Sequence, residues 1–416
     1  MDVLKIFLSL FVLFGVGLII LQGKIRWLFW LGVLLMFSRR INFPYLGDME
    51  PSTLILFFTA LLVLPKLLSF LIRDNLLQLI VLGLGLAGGA LINTPSDEFW
   101  TWPVAILSVY IMCGLSNLYI RDEKSLDRLS SYFIIISFII AFTAVIAYAG
   151  FADNVIILSD TSPVNMDDGL VLYSKTYGIA YSNSVNGFIP LALIFLYSKK
   201  WNNILRFIIF FSIVASVFIS LKRIAYLSLI FSILYIIFRD GKPRLKPILL
   251  CCIMIAGGLI FFGKEITERF QNTGNALFGE ESPDANRTVR IEYAWKRYME
   301  HPIIGNGSGQ VTYVHNGFLE ILVDLGLPGL VILVPWLFKP IRMLFSQGDK
   351  RQRDWAMCCL IYLTTLFLFE AVLNRLDLFW IFGLLFAGME SAQRIYQLKA
   401  MEIQNPVWKK DGLALQ

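Results

Sequence analysis

The chain has 416 residues, of which 57% are hydrophobic and only 16% charged, with a mean hydropathy of +0.68 and a formal net charge of +6. Such a composition leaves too little polar surface to cover a soluble globule of this size, so it excludes a water-soluble enzyme and predicts an integral membrane protein. The positive balance comes without a basic patch interleaved with aromatics, so nucleic acid is not an expected partner and the lipid bilayer is.

A helix needs roughly 20 apolar residues to cross the hydrocarbon. Taken in chain order, hydropathy predicts spans at 4–22, 27–38, 52–71, 76–93, 101–120, 131–151, 177–197, 207–221, 224–238, 247–262, 316–338, 356–373 and 378–394, the second of them short. The expected fold is all-α: a polytopic membrane bundle of about 12–13 transmembrane helices. With no soluble domain and no repeat, residues 1–416 form a single membrane domain. The first run is followed by Lys24 and Arg26 and lacks a small-residue cleavage site, which reads as a retained helix rather than a signal peptide. Cys113, Cys251, Cys252, Cys358 and Cys359 all fall in predicted helices without CxxC spacing, so they read as apolar filler. No disulfide framework, metal site or cofactor is expected.

Lys and Arg gather in alternate connections: Lys24 and Arg26; Arg73; Arg121, Lys124 and Arg128; Lys199, Lys200 and Arg206; Arg239, Lys242, Arg244 and Lys246; Lys339, Arg342, Lys350, Arg351 and Arg353. The positive-inside bias makes these cytoplasmic. The acidic connections 94–100 and 152–175, and the long segment 263–315, then face outward. Within the last, "NRTVRIEYAWKRYMEHP" suits a short helix lying at the interface with its aromatics toward headgroups, and "GNGSG" a flexible turn back to the membrane.

Several residues break the apolar rules on that outward side. Lys222 and Arg223 sit in a turn of almost no length, either snorkelling to lipid phosphates or forming an anion site in which the Arg223 guanidinium grips phosphate oxygens as a bidentate fork. Arg287 and Arg290 share a helix face and either pair with Asp284 or Glu292 or join that site. His301 reads as an ordinary interface residue. His315 and Asn316 stand where the chain re-enters the membrane, beside the free N–H groups of the next helix. Glu320 and Asp324 follow one turn apart on one face; carboxylates in a span face a polar interior, where these two orient the site or balance its arginines. Asn183 and Asn186 open an apolar run, as polar glue between helices or as sugar contacts.

"HNGFLEILVDLGLPG" resembles the signature of the O-antigen ligase and polymerase superfamily: a histidine with Asn, Ser or Gln, nine residues, then Gly-x-x-Gly, here His315, Asn316, Gly326 and Gly329. "LKRIAYL" is similar to the family's hydroxyl–arginine pair, with Arg223 in place and Lys222 departing from it. "RIEYAWKRYMEHPIIGNG" fits its Arg, Trp, Pro, Gly-x-Gly pattern through Arg290, Trp295, Pro302, Gly305 and Gly307.

The resemblance implies a GT-C-like glycosyltransferase of the bacterial inner membrane. Its donor is an undecaprenyl-diphosphate-linked glycan met at the periplasmic face, and its acceptor is another lipid-linked glycan (polymerase) or lipid A-core (ligase). A flippase and a chain-length regulator are the implied protein partners. A transporter of the lipid-linked glycan would use the same arginines without needing the histidine. The residue chemistry agrees: arginines neutralise a diphosphate leaving group, and an imidazole of ordinary pKa, about 6.5, accepts a hydroxyl proton at neutral pH.

Overall fold

The structure is a computed structural model. It describes residues 15–17, 19–20, 22–36, 51–92, 101–148, 185–220, 223–239, 257, 263, 285–307, 314, 316–346, 349–367 and 376–404. Helices and turns account for the secondary structure of the described residues. In order they are α1 (Ile25–Leu35), α2 (Pro51–Leu62), α3 (Leu64–Ile92), α4 (Thr101–Tyr119), α5 (Glu123–Tyr148), α6 (Val185–Phe188), a 3₁₀ turn (Ile189–Leu191) and α7 (Ala192–Ser198). There follow α8 (Asn203–Ser220), α9 (Arg223–Phe238), α10 (Ala285–Glu300), α11 (Gly317–Leu325), α12 (Pro328–Phe345), α13 (Lys350–Tyr362), a π-turn (Leu363–Phe367) and α14 (Leu376–Gln404). Among the described residues, four stretches are long and apolar enough to cross a membrane by length and composition: Leu64–Gly85, Glu123–Ile146, Asn203–Ser220 and Pro328–Phe345.

Local chemistry sets the breaks. Proline lacks a donor and crowds the preceding turn, which suits it best to the first turn of a helix, and Pro65 opens α3 and splits the predicted 52–71 run at Val63. The connection expected at 72–75 is a kink at Asn75 (φ −136°, ψ 17°) inside α3. Asp122 caps α5 by accepting from Ser125 N at 2.7 Å, and the Ser125 hydroxyl, bonded to the same carboxylate, holds it below the usual carboxylate range.

The predicted span 316–338 needs correction. Gly326, at φ +65°, ends α11 after 9 residues, about 14 Å of helix against about 30 Å of hydrocarbon. α12 alone is therefore the candidate span. The runs 4–22 and 247–262 and the connections 94–100 and 152–175 lie outside the described residues, wholly or in large part.

At one end of the bundle the basic residues are tied together. Arg26 donates to the Tyr119 carbonyl at 3.3 Å, and Arg394 to the carbonyls of Asn117 and Ile120. Glu123 pairs with Lys399 at 2.6 Å and Arg351 at 3.3 Å, Lys199 pairs with Asp127 at 2.5 Å, and Arg239 with Asp354 in a fully buried pair. Four of the cations that the charge pattern assigns to one side of the membrane, Arg26, Lys199, Arg239 and Arg351, thus meet at one end. α9 starts at Arg223 and runs 16 residues toward Arg239, so Arg223 stands about 24 Å away, at the opposite end.

The core between the two ends is aromatic. Trp336 of α12 lies 5.1 Å from Phe382 of α14 and 6.4 Å from Phe367 of the π-turn, ring centre to ring centre. Small residues let the helices close up: a Cβ on Gly383 would come within 3.0 Å of the Val109 backbone, and one on Gly388 would enter the Trp355 ring.

Candidate functional site

The sequence between Asn286 and Pro302 forms α10, as its spacing predicts. Arg287, Arg290, Ala294 and Tyr298 recur at three- and four-residue intervals and so occupy one stripe of the helix. Ala294, fully buried, clusters with Val314, Leu319 and Val323, and Tyr298 packs against the same cluster. The stripe therefore faces α11 and the residue just before His315. Arg290, exposed, lies one turn beyond Ala294, and position 287 a turn beyond that.

The turn after α10 is fastened backbone to backbone onto the end of α11. Asn306 N donates to Val323 O at 2.8 Å, Gly307 N to Asp324 O at 3.1 Å, and Leu327 N to Pro302 O at 2.8 Å. Gly305 (φ +75°) and Gly326 (φ +65°) touch: a Cβ on Gly305 would lie 2.2 Å from Asp324 O, and one on Gly326 2.5 Å from Gly305 N. Only glycine fits both the positive φ and the approach. The Gly-x-Gly turn, expected to be flexible, is instead the tightest joint near the site. Asn306 completes it: buried, it donates from Nδ2 to Arg297 O at 2.7 Å and to Val323 O at 3.3 Å. Sequence reasoning missed this residue; the signal available was an amide between two glycines, which only the fold turns into a staple.

Asn316 is the N-cap of α11, its Oδ1 accepting from Leu319 N at 3.0 Å. Glu320, 2% exposed, reaches back over the cap, where Oε1 accepts from Val314 N at 3.2 Å. The backbone on either side of position 315 is thus fixed by two side chains of the same helix. Asp324 is buried one turn further on, as the pairing with Glu320 predicts. His315 and Lys222 themselves lie outside the described residues, as does Asn183.

α8 ends at Ser220 and α9 begins at Arg223, which agrees with a turn of almost no length there. α6 closes on the start of α9: a Cβ on Gly187 would meet Ile224 Cγ2 at 2.6 Å, bringing the backbone of Asn186 near that of Arg223. The π-turn then joins α9 to α11. Ser228 Oγ lies 3.2 Å from Thr365 Oγ1, and the rings of Phe318 and Phe367 are 5.3 Å apart. One irregular turn, of a kind often found at functional sites, thus bridges the helix that Arg223 opens and the helix that follows His315. The starts of α9, at Arg223, and of α11, at Asn316, are thus linked through the π-turn, and Glu320 and Asp324 are buried within α11.

Residues 207–334 match the family described as O-antigen ligase. The matched stretch runs from α8 into α12 and contains Arg223, Arg287, Arg290, position 315, Glu320 and Asp324. It supports the superfamily that the His315 motif resembles. No curated protein matches the chain.

Proposed function

From that family match we propose that the chain is a metal-independent membrane glycosyltransferase acting on undecaprenyl-diphosphate-linked glycans at the outer face of the bacterial cytoplasmic membrane. A hydroxyl oxygen of the acceptor sugar attacks the anomeric carbon of the donor, and the bond from that carbon to the diphosphate oxygen breaks. Lipid diphosphate leaves with the electron pair, and the hydroxyl proton passes to the His315 imidazole. Arg223, Lys222, Arg290 and Arg287 receive the charge that grows on the diphosphate, and arginine suits this because its planar fork matches two phosphate oxygens at once. Asn316 and Glu320 hold the histidine segment, and Asp324 offsets the arginines.

The observation that supports this reading is the joint between α10 and α11, which packs Ala294, one turn from Arg290 on the same stripe, against Val314, the residue before His315. The outward orientation rests on the opposite, basic end, which the positive-inside bias makes cytoplasmic. Of the two acceptors we favour a second lipid-linked repeat unit, which makes the enzyme a polymerase. The ligase reading, with lipid A-core as acceptor, keeps a claim because the matched family is described by that activity.

Reconstitution with defined lipid-linked repeat units, with and without lipid A-core, decides between them by product. Ladders of lengthening lipid-linked glycan are expected without any core acceptor, whereas glycan appearing only on lipid A-core would move the assignment to ligase. Arg223→Lys and Arg290→Lys each keep the charge and lose the fork, so turnover should fall by about tenfold or more at matched expression, corresponding to a charged hydrogen bond of roughly 1.5–3 kcal/mol. Unchanged turnover in both would replace diphosphate recognition with surface pairing.

A further inference from the structure

The outward side of α10 carries a second stripe that the mechanism leaves unused. Ile291, Trp295 and Met299 recur every four residues beside the stripe that faces α11, and all three are exposed. Ile303 and Ile304 in the following turn are exposed too, Ile303 at 67%. That turn is bonded to Leu327 through Pro302 O, and Leu327 begins another exposed row, Leu330, Val334 and Phe338, at three- and four-residue spacing along α12. Because α12 is a candidate span, large apolar side chains pointing away from the bundle there meet lipid. The exposed apolar residues of the span are thus joined, through the bonded turn at Ile303 and Ile304, to those of α10. Val289 and Tyr293, also exposed, lie off this stripe.

We infer that the Ile291–Trp295–Met299 stripe and the Ile303–Ile304 turn are a membrane-surface element whose partner is lipid. They lie in the boundary between headgroups and acyl chains of the leaflet at the end of the bundle opposite the basic network. Moving such side chains out of water is favourable, and Trp is at home at that depth. Lys296 and the Arg297–Glu300 pair, joined at 2.6 Å, fall on other faces of the helix. The arginine stripe is thereby held at the depth of lipid phosphates. The surface stands on geometry alone and does not require the glycosyltransferase reading.

Single cysteines introduced as Met299→Cys, Ile303→Cys, Lys296→Cys and Phe338→Cys, in a chain freed of native cysteines and labelled with a small fluorophore, test it in vesicles. Brominated acyl chains should quench positions 299, 303 and 338 and spare 296, which aqueous iodide should quench instead. Quenching at 338 also verifies insertion of each variant. The wild-type chain gives a second reading: a phospholipid with a photoreactive group in its acyl chain should cross-link within 291–304. Iodide quenching at 299 and 303, or shielding of both from both quenchers, overturns the inference, the first in favour of water and the second in favour of a covering polypeptide.

Discussion

His315→Ala should slow glycosidic bond formation by about 10²–10⁴-fold, the usual worth of a general base, while donor binding stays near that of the unsubstituted chain. Binding and chemistry separate because they rest on different residues. In the proposed mechanism the arginines at the starts of α9 and α10 grip the diphosphate, whereas the imidazole only accepts a proton. The fold should tolerate the change, since the flanking backbone is held by the Asn316 cap and the bond from Val314 N to Glu320, neither of which uses the histidine side chain. A single-turnover assay with donor binding followed separately reads both quantities. The unsubstituted enzyme should gain rate as rising pH frees the imidazole, and the alanine variant should be flat across the same range. Product formed at the original rate would leave a transporter or a binding role in possession of the site; loss of donor binding together with product would make the histidine a ligand contact.

Gly305→Ala should be as damaging without touching a reacting group. Its Cβ would come within 2.2 Å of Asp324 O and 2.6 Å of Gly326 N, both main-chain atoms that cannot rotate aside, at a φ of +75°. A cost on the order of 4 kcal/mol follows, concentrated at one joint. α10 should swing off α11 while the rest of the bundle stays folded, so activity collapses with only a modest change in thermal unfolding. Gly326→Ala attacks the same joint from the other side, and the double variant should cost little more than either alone. Gly83→Ala is the control: its Cβ meets nothing within 4 Å inside α3, where alanine is if anything the better helix former. Near-normal activity in Gly305→Ala would mean that the joint is not what aligns arginine and histidine.

Features set by local periodicity were legible in the sequence. The register of Arg287 and Arg290, the helical reading of 286–302, the helix beginning beside Asn316 and the pairing of Glu320 with Asp324 all follow from 3.6-residue spacing, which needs no knowledge of neighbours. Hydropathy likewise located most of the apolar helices, and Asn75 kinks where the charges of Arg73 and Asp74 interrupt the run. It failed at 316–338, because a hydropathy window averages over the single positive φ of Gly326, and at Val63, where the cue was Pro65. Reading "GNGSG" as flexible failed for a deeper reason. Glycine permits either mobility or close packing, and only the far side of the contact, here Asp324 and Gly326, decides which. Asn306 was illegible on the same ground.

The π-turn at Leu363–Phe367 has one consequence for how the protein tolerates change. A π-turn holds one more residue than the α-helical turn it replaces, and each residue rotates a helix by about 100°. Thr365 meets Ser228 of α9, and two residues later Phe367 meets both Phe318 and Trp336. Shortening this turn by a single residue would leave every side chain in the signature segments untouched and still point Phe367 away from the helix that follows His315. The alignment of the two halves of the candidate site is in this sense written in chain length, at a place where no charged residue marks it.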